Sequence, residues 1–300
     1  MGLIRIRTLF AVALLAGALF APGVARAQSF ADLIRTGRAH LDSSRADDAV
    51  KSFEKAIKAN SQSSDAHLWL ARALGTVAQR ANVLRQPFLA KRAKSEFEKA
   101  VDLDPNSIGG REGMMQFYLL APGVMGGSAA KAREQAAAIA KLNALRGHFA
   151  AATIANNQKD LPRAEKAFRA AAAEFPDSLN AVTSLANFLA NNGRGDEAFA
   201  PLDRYLAKKP DDRIAMFWIG RTAGVTGKQL DRGEQMLRAV LVSQPSTPAD
   251  GPRVATEAIH LRLGDIAAKR GDKAKARAEY EAALRLNPNF EQAKRTLKAL

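Results

Sequence analysis

The residues able to carry acid–base or metal chemistry are few and lie far apart in the sequence. The chain has four histidines, His40, His67, His148 and His260. No two of them are four residues apart, the spacing through which one helix presents two imidazoles to a metal ion. On the helical repeat described below, His67, His148 and His260 share one position facing the second helix of the same unit, and His40 has a related inward position. Repeat packing therefore explains them better than catalysis.

Other patterns with chemical potential are equally sparse. Asp47-Asp48 lies where a helix is expected to start, and carboxylates there favour the helix dipole and can cap the helix. Gly193-Arg194-Gly195 ends a helical segment and does not follow a strand, so it does not predict a phosphate-binding loop. The chain has no cysteine, which excludes disulfides, thiol nucleophiles and cysteine-based metal sites. We therefore predict no catalytic residue, no cofactor and no metal ion.

Composition favours helices and a basic surface. Hydrophobic residues make up 47% of the chain and aromatic residues only 6%. Alanine is abundant while β-branched and aromatic residues are few, so helix propensity dominates and an all-α chain is expected. The chain has 45 Lys plus Arg against 30 Asp plus Glu, a formal net charge of +15. A protein this basic is attracted at low salt to anionic surfaces such as nucleic acid, anionic lipid or acidic proteins.

One spacing recurs along most of the chain. An alanine is followed four positions later by a bulky residue, then by another small residue and by a proline, as in Ala93, Phe97, Ala100 and Pro105. These types fit the second helix of a hairpin, because small residues allow close approach, the bulky residue fills the gap and proline ends the helix. Further copies, some with substitutions, are Ala49-Phe53-Ala56-Ser61, Ala164-Phe168-Ala171-Pro176, Ala198-Leu202-Tyr205-Pro210, Gly233-Leu237-Val240-Pro245 and Ala276-Tyr280-Ala283-Pro288.

Upstream of each copy, a first helix carries a large apolar residue followed by glycine or alanine. Examples are Leu70-Ala71, Leu185-Ala186, Ile219-Gly220 and Leu263-Gly264. This two-helix pattern, with a period of about 34 residues, resembles the tetratricopeptide repeat family. The resemblance implies a right-handed α-solenoid of about seven helix pairs that binds proteins or peptides. Two stretches, 85–88 and 117–127, resemble a subgroup of exported bacterial members, which adds no biochemical activity.

The repeat register divides the chain into units. Phe290, Ala293 and Leu297 form a one-sided apolar pattern near the end, as a helix that caps the open end of a solenoid requires. The third unit has the weakest pattern. The predicted divisions are a cleaved signal peptide at 1–27, six repeats at 28–246, a connector at 247–256, a seventh repeat at 257–290 and a capping helix at 291–300.

Two insertions interrupt the period. Between Ala71 and Ala93 the chain has about ten residues more than the repeat period allows, which predicts an extended hairpin at 72–93 with both helices lengthened and Pro87 near the start of the second. Residues 121–128 cannot form a helix, because a proline and three glycines break it, while Ser128 can cap the next helix. In this loop, Val124 and Met125 either pack back onto a neighbouring repeat or contact a partner. The extended hairpin carries a basic projection of Arg80, Arg85, Lys91, Arg92 and Lys94.

The register also predicts which side chains line the concave groove, since the first helices of such arrays form that surface. The middle units contribute asparagines, whose amides both donate and accept hydrogen bonds and so can hold a peptide backbone. The other interpretation is that Asn191 and Asn192 only end a helix. Trp69 and Trp218 occupy equivalent positions and are interpreted as packing residues, with a stacking ligand site as the alternative. The groove candidates are Arg38, Arg72, Phe149, Thr153, Asn156, Asn157, Asn180, Thr183, Asn187, Asn191, Phe217 and Arg221.

The first 27 residues have the organisation of a signal peptide. Arg5 and Arg7 precede an apolar run from Leu9 to Phe20, and an A-x-A segment ends at Ala27. The run is shorter than the roughly 18 apolar residues of a membrane span. We predict a Sec-type signal cleaved after Ala27 and a periplasmic or secreted protein. The alternative is a retained membrane anchor.

These features together predict a non-enzymatic scaffold or adaptor of the bacterial envelope that binds a protein or peptide partner through its concave groove. A second hypothesis is binding of an anionic envelope polymer or of lipid headgroups at a membrane surface, with an affinity that falls steeply as salt is added. A third is an enzyme whose site assembles from distant residues. Nucleic acid is not favoured, since no recognition motif or aromatic–basic platform occurs.

Overall fold

A computed structural model describes residues 29–244 and 252–300 of the chain. The predicted signal peptide lies outside these ranges, as does the first half of the predicted connector. The described residues form fifteen α-helices and one short 3-10 turn, with no strand among them. The helices form seven consecutive hairpins followed by a final single helix. The prediction of an all-α solenoid built from helix pairs and closed by a C-terminal helix is thereby confirmed.

The helix bounds follow the two-helix repeat. The first helices of the pairs are α1 (Phe30–Asp42), α3 (Ser64–Arg80), α5 (Ile108–Leu120), α7 (Ala144–Asn157), α9 (Leu179–Asn191), α11 (Arg213–Thr226) and α13 (Thr256–Lys269). The second helices are α2 (Ala46–Ala59), α4 (Gln86–Leu103), α6 (Ala129–Leu142), α8 (Leu161–Glu174), α10 (Phe199–Lys208), α12 (Leu230–Val242) and α14 (Lys273–Leu286). The final helix is α15 (Glu291–Lys298).

In the first and last hairpins, small residues of one helix accept bulky residues of the other. In the first pair, the Phe53 ring occupies the space that a side chain at Gly37 would need, since a Cβ added to Gly37 would lie 2.5 Å from the Cε1 atom of Phe53. In the last pair, the Tyr280 ring occupies the corresponding space beside Gly264. Both rings are fully buried. The small and bulky positions of the repeat thus have the packing role that their spacing predicts.

The insertions change the second and third pairs. Helices α3 and α4 have 17 and 18 residues, against 13 and 14 in the first pair, and Pro87 lies in the first turn of α4. The loop after α5 contains the 3-10 turn Gly123–Met125. Ser128 then caps α6 by accepting a hydrogen bond from the backbone N–H of Lys131 at 3.3 Å. The second hairpin therefore projects beyond its neighbours at the end where its two helices turn.

The apolar core consists of successive clusters along the array. Larger clusters lie within α1–α4, within α5–α7 and across α9–α13, and another joins α13, α14 and α15. Between α7 and α9 the clusters are small, and these two first helices touch less than any other successive pair of first helices. The array is thus most open between the fourth and fifth hairpins. Among the helices that the structure describes, none is both long and apolar enough to span a bilayer.

Candidate peptide-binding groove

At the N-terminal end of the first-helix surface, two arginines flank one indole ring. The guanidinium carbons of Arg38 on α1 and Arg72 on α3 each lie 4.8 Å from the Trp69 ring centroid. The Phe53 ring stacks on the Trp69 ring, with the two centroids 6.1 Å apart. In the part of the chain that the structure describes, neither guanidinium pairs with a carboxylate. Two cations held by a ring and left without an anion are able to bind a carboxylate of a ligand.

In the middle of the array, an asparagine side chain joins two hairpins. The Oδ1 atom of Asn187 accepts hydrogen bonds from Arg221 at 2.6 Å and from Asn191 at 2.9 Å. The Arg221 guanidinium also lies 4.6 Å from the Trp218 ring centroid. Burial lowers the pKa of Arg221, and the nearby charge of Arg262 lowers it further, but an arginine remains protonated at physiological pH. Arg221 therefore fixes the orientation of the Asn187 amide.

A cavity of about 260 Å³ opens beside this network, where α7 and α9 separate. Asn192 contributes to its wall, but its amide Nδ2 donates to the backbone carbonyl of Phe188 at 2.8 Å. For Asn192 the interpretation as a helix-ending residue is therefore correct. Asn187 and Asn191 instead direct their amides at each other and at Arg221. The cavity is lined by Asn156, Phe168, Ser184, Asn187, Phe188, Asn191 and Asn192.

The other predicted groove residues do not line this cavity. Thr153, Asn157 and Asn180 are exposed elsewhere on the first helices, while Phe149 and Phe217 are half-buried. They remain predictions as groove residues.

Thr183 was predicted to face the groove, and this was wrong. Its side chain is buried, and its hydroxyl donates to the backbone carbonyl of Leu179 at 2.8 Å. Thr183 therefore offers no free hydroxyl to a ligand.

Sequence reasoning missed the aromatic part of the cavity wall. The rings of Phe168 on α8 and Phe188 on α9 lie 5.2 Å apart, and both border the cavity. Phe168 was identified only as the bulky residue of its own hairpin. Phe188 directly follows Asn187, so it faces the preceding hairpin, and a register that included packing between hairpins would have found it.

Three histidines have the role that the register predicts. Each hydrogen-bonds a glutamate on the second helix of its own hairpin. The pairs are His67 with Glu96 at 2.6 Å, His148 with Glu174 at 2.8 Å and His260 with Glu279 at 2.7 Å. Over residues 29–244 and 252–300, no group of three or more histidine or acidic side chains is placed to hold a metal ion. These pairs join the two helices of a hairpin.

The basic projection is less basic than its sequence suggests. Arg92 pairs with Glu54 on α2 and Lys94 pairs with Glu98. Arg80 donates a hydrogen bond to the backbone carbonyl of Ser44, in the turn between α1 and α2, at 3.0 Å. Arg85 and Lys91 are exposed and have no carboxylate partner within the described ranges. Two of the five cations therefore remain free to meet an external anion.

The loop after α5 exposes one of its two apolar side chains almost completely. Val124 is 98% exposed, so the first of its two alternatives, packing back onto a repeat, is wrong. Met125 is 36% exposed and borders a cleft formed with α3, α4 and α5. The 3-10 turn holds Val124 on its outer side, where no neighbouring helix reaches it.

Comparison with known proteins places these hairpins in a family. Sequence models of the tetratricopeptide repeat match residues 34–74, 156–217 and 257–290. These matches fall on α1–α3, on the region from the end of α7 into α11, and on α13–α14. No curated protein matches the chain.

Solved structures show the same fold. The chain is similar to a tetratricopeptide repeat protein from Parabacteroides merdae, with 17% identity, coverage of 90% of this chain and 98% of that chain, and a TM-score of 0.51. It is also similar to a human IFIT1 dimer with PPP-AAAA, at 15% identity, 86% and 59% coverage and a TM-score of 0.51. A thermophilic repeat protein of Thermus thermophilus has 22% identity, 66% and 98% coverage and a TM-score of 0.48.

At these identities the two structures with a TM-score of 0.51 establish the fold alone. The repeat matches, the seven hairpins and the packing of small against bulky residues agree with one another. Arrays of such repeats serve as scaffolds for protein–protein interaction. This chain belongs to the tetratricopeptide repeat family.

Proposed function

We propose that this protein binds an extended peptide segment of a partner protein along its first helices, with the cavity between α7 and α9 as the anchoring point. One observation carries the proposal. The Asn187 Oδ1 atom accepts hydrogen bonds from Arg221 and Asn191. Among the described residues, the Nδ2 atom of Asn187 donates no hydrogen bond and the Oδ1 atom of Asn191 accepts none. The cavity wall thus presents one free amide donor and one free amide acceptor.

A donor and an acceptor side by side match the C=O and N–H of one residue in an extended chain, since these two groups point to the same side of the backbone. Such contacts hold a backbone with little regard to its side chains. The Phe168 and Phe188 rings supply the apolar part of the wall, which suits one apolar side chain of the ligand. At the N-terminal end of the first-helix surface, Arg38 on α1 and Arg72 on α3, beside Trp69, offer a place for a ligand carboxylate. The favoured ligand is therefore an extended segment with an apolar anchor and an acidic group.

The test begins with peptides selected from a phage-displayed random library on the full chain, followed by measurement of their dissociation constants. Asn191→Tyr fills the cavity and removes the free acceptor, so we expect at least about tenfold weaker binding, as for the loss of a central anchor. Asn106→Tyr is the matched control. This exposed asparagine lies in the turn between α4 and α5, and its replacement should leave affinity unchanged.

Three results would contradict the proposal. One is a library that yields no binder, and another is a peptide that tolerates Asn191→Tyr. The third is an affinity that falls by roughly a thousandfold between low and moderate salt, which is the behaviour of a polyanion binder. A groove held together by amide hydrogen bonds and one apolar anchor should lose far less, because few counterions are released.

We further propose that the chain acts in the bacterial envelope, as a periplasmic or secreted protein. The support is the order of the first 27 residues, with two arginines, a short apolar run and an A-x-A segment. Amino-terminal sequencing of the protein from an envelope fraction should find Gln28 as the first residue. A protein that starts at Met1 in that fraction would favour the retained anchor instead.

A further inference from the structure

Exposed large apolar side chains concentrate at one place in the array. Of the ten in the described residues, six lie in the turn between α3 and α4 or in the loop after α5 and its margins. We call this set the apolar tip. Its members are Val83, Leu84, Phe88, Leu120, Val124 and Met125, and all but Met125 are at least 74% exposed. The remaining four are scattered singly, as is ordinary for surfaces.

The first turn of the apolar tip is rigidly built. The Asn82 side chain and backbone carbonyl both accept hydrogen bonds from the Arg85 N–H, at 3.0 and 3.1 Å. The Asn82 carbonyl also accepts from the Gln86 N–H at 3.0 Å. This turn fixes Val83 and Leu84 on its outer side. Their exposure is therefore a feature of the fold and not of a frayed helix end.

The second turn of the apolar tip is equally constrained. The Pro122 carbonyl accepts hydrogen bonds from Met125 at 2.8 Å and from Gly127 at 3.1 Å. Gly126 has a φ of +93°, which favours glycine. At Gly127 an added Cβ would overlap the carbonyl oxygen of Ala121. The glycines are needed for the turn that presents Val124 to solvent.

The two turns lie side by side. Val83, Leu120 and Met125 border one cleft of about 420 Å³, together with helices α3, α4 and α5. Lys94 is the only charged residue among the cleft-lining side chains. Exposed side chains from both turns therefore border the same apolar cleft at the end of the longest hairpin.

Charge around the apolar tip has a single sign along the chain. Residues 66–95 contain six Lys or Arg and no Asp or Glu, and residues 113–133 contain Lys131 and Arg133 and no acid. Glutamates elsewhere pair with Arg92 and Lys94, while Arg85 and Lys91 remain exposed beside the tip. An anionic surface complements this arrangement, and an uncharged apolar partner does not use it.

We propose that the apolar tip inserts into the interface of a lipid bilayer that contains anionic lipids. Lys91 follows Phe88 by three residues, about 4.5 Å along a helix. A Phe88 side chain among acyl chains would thus place Lys91 near the headgroups, in keeping with the roughly 5–10 Å depth of interfacial insertion. A protruding apolar end with cations directly behind it fits a soft surface, because lipid chains adapt to an uneven outline, whereas a folded protein partner would need a matching shape. The proposal is independent of the peptide groove.

The test uses the absence of cysteine from the chain. A single Val124→Cys substitution in the full chain is labelled with an environment-sensitive fluorophore and mixed with vesicles of equal parts phosphatidylcholine and phosphatidylglycerol. We expect a several-fold rise in emission with a shift to shorter wavelength. Val242→Cys is the matched control, because Val242 on α12 is 89% exposed and lies far along the array, and its label should not respond. The N-terminal segment is the same in both proteins.

Variants then separate the apolar and charged contributions. With the label at position 124, Leu84→Ser and Phe88→Ser together should raise the lipid concentration for half-maximal response by about a hundredfold. Arg85→Glu with Lys91→Glu should raise it by about tenfold, on phosphatidylglycerol vesicles only. These four side chains are exposed, so the thermal transition by circular dichroism should stay unchanged.

Each opposing outcome overturns the proposal. A label at position 124 that responds equally to pure phosphatidylcholine removes the role of charge. Equal responses at positions 124 and 242 show that the signal is not specific to the tip. A label that ignores vesicles but responds when a partner protein is added assigns the apolar tip to protein docking.

Discussion

The hairpins α13–α14 and α5–α6 follow the same repeat but differ in how completely they bury their apolar side chains. In α13–α14, Ile259 and Tyr280 are essentially inaccessible to solvent, and Gly264 lets the tyrosine ring approach. In α5–α6, Ala136 stands at the bulky position and is only half-buried, while Leu120 is 74% exposed. The repeat register alone therefore does not decide how tightly a hairpin packs.

The difference arises from the insertions. Because α3 and α4 are longer, their turn extends past α5. The loop after α5 contains a proline and three glycines and forms only a short 3-10 turn, so it does not cover the apolar side chains there. Regular hairpins supply rigidity, and irregular ones leave surface for contacts. The cavity between α7 and α9 teaches the same lesson, since it lies where successive first helices separate.

The largest difference in stability is expected between two variants that each lose an aromatic ring, one from the tightly packed hairpin and one from the apolar tip. Tyr280→Ala should lower the free energy of unfolding by about 3–5 kcal/mol, because it leaves a cavity against Gly264 and removes the hydrogen bond from the tyrosine hydroxyl to Asp265. Phe88→Ala should change it by less than about 0.5 kcal/mol, since Phe88 is 78% exposed. Urea unfolding followed by circular dichroism measures both. Equal losses would show that the apolar tip is packed in solution.

A pair of glycines sharpens the contrast. Gly220→Ala places a Cβ into the buried Leu237 side chain and should cost about 1–3 kcal/mol through overpacking. Gly75→Ala should stabilise the protein by about 0.5–1 kcal/mol, because the added Cβ would have no described atom within 4 Å apart from its own helix backbone, and alanine is the better helix former. Both glycines are in the interior of first helices, so the sign of the effect reports local packing. The melting temperatures of the two variants measure both effects. Changes of the same sign would show that local packing does not determine the effect of the added Cβ.

A partly buried carboxylate, Glu234 on α12, makes stability depend on pH. Burial opposes ionisation of Glu234, but hydrogen bonds from Lys275, Arg270 and Arg238 outweigh it and lower its pKa from 4.5 to about 2. Because the pKa is lower in the folded state, ionised Glu234 stabilises that state at pH values above the unfolded pKa. This stabilisation is lost as the pH falls from about 4.5 towards 2. Glu234→Gln should cost about 1–2 kcal/mol at neutral pH, less than the full shift implies, because the exposed cations are screened.

The pH dependence itself is the check on Glu234. The difference in unfolding free energy between the parent and Glu234→Gln should shrink as the pH of the urea titration is lowered. Glu281→Gln is the control, since Glu281 is exposed and forms no ion pair within the described helices. A difference that stays constant from neutral pH to pH 3 would mean that Glu234 contributes nothing by its charge.

Much of the fold could be predicted from the sequence, because the packing of a hairpin depends on residues at fixed spacing. Phe53 and Tyr280 were identified by their distance from flanking alanines, and both rings are buried as expected. The histidine positions followed from the same register. These features involve only one hairpin, so the repeat period is enough to place them.

The candidate site could be predicted only in part, because it depends on contacts between hairpins. Asn187 and Asn191 were identified, but Thr183, on the same helix, is buried by neighbours that its own register does not specify. Phe188 was missed for the same reason. The exposure of Val124 depends on a turn whose backbone conformation, with Gly126 at positive φ, cannot be obtained from helical periodicity.

The smallest effects on stability are expected at the repeated His–Glu pairs, which differ from hairpin to hairpin in how deeply they are buried. His67 and Glu96 have side chains only 9% and 20% exposed, whereas His148 and Glu174 are 25% and 53% exposed. Glu96→Ala should cost about 1 kcal/mol, because it leaves a buried imidazole nitrogen without its partner. Glu174→Ala should cost less than about 0.5 kcal/mol, as for other surface pairs. Urea titrations of both variants at one pH measure the two losses, and a larger loss for Glu174→Ala would show that burial does not set the strength of this repeated pair.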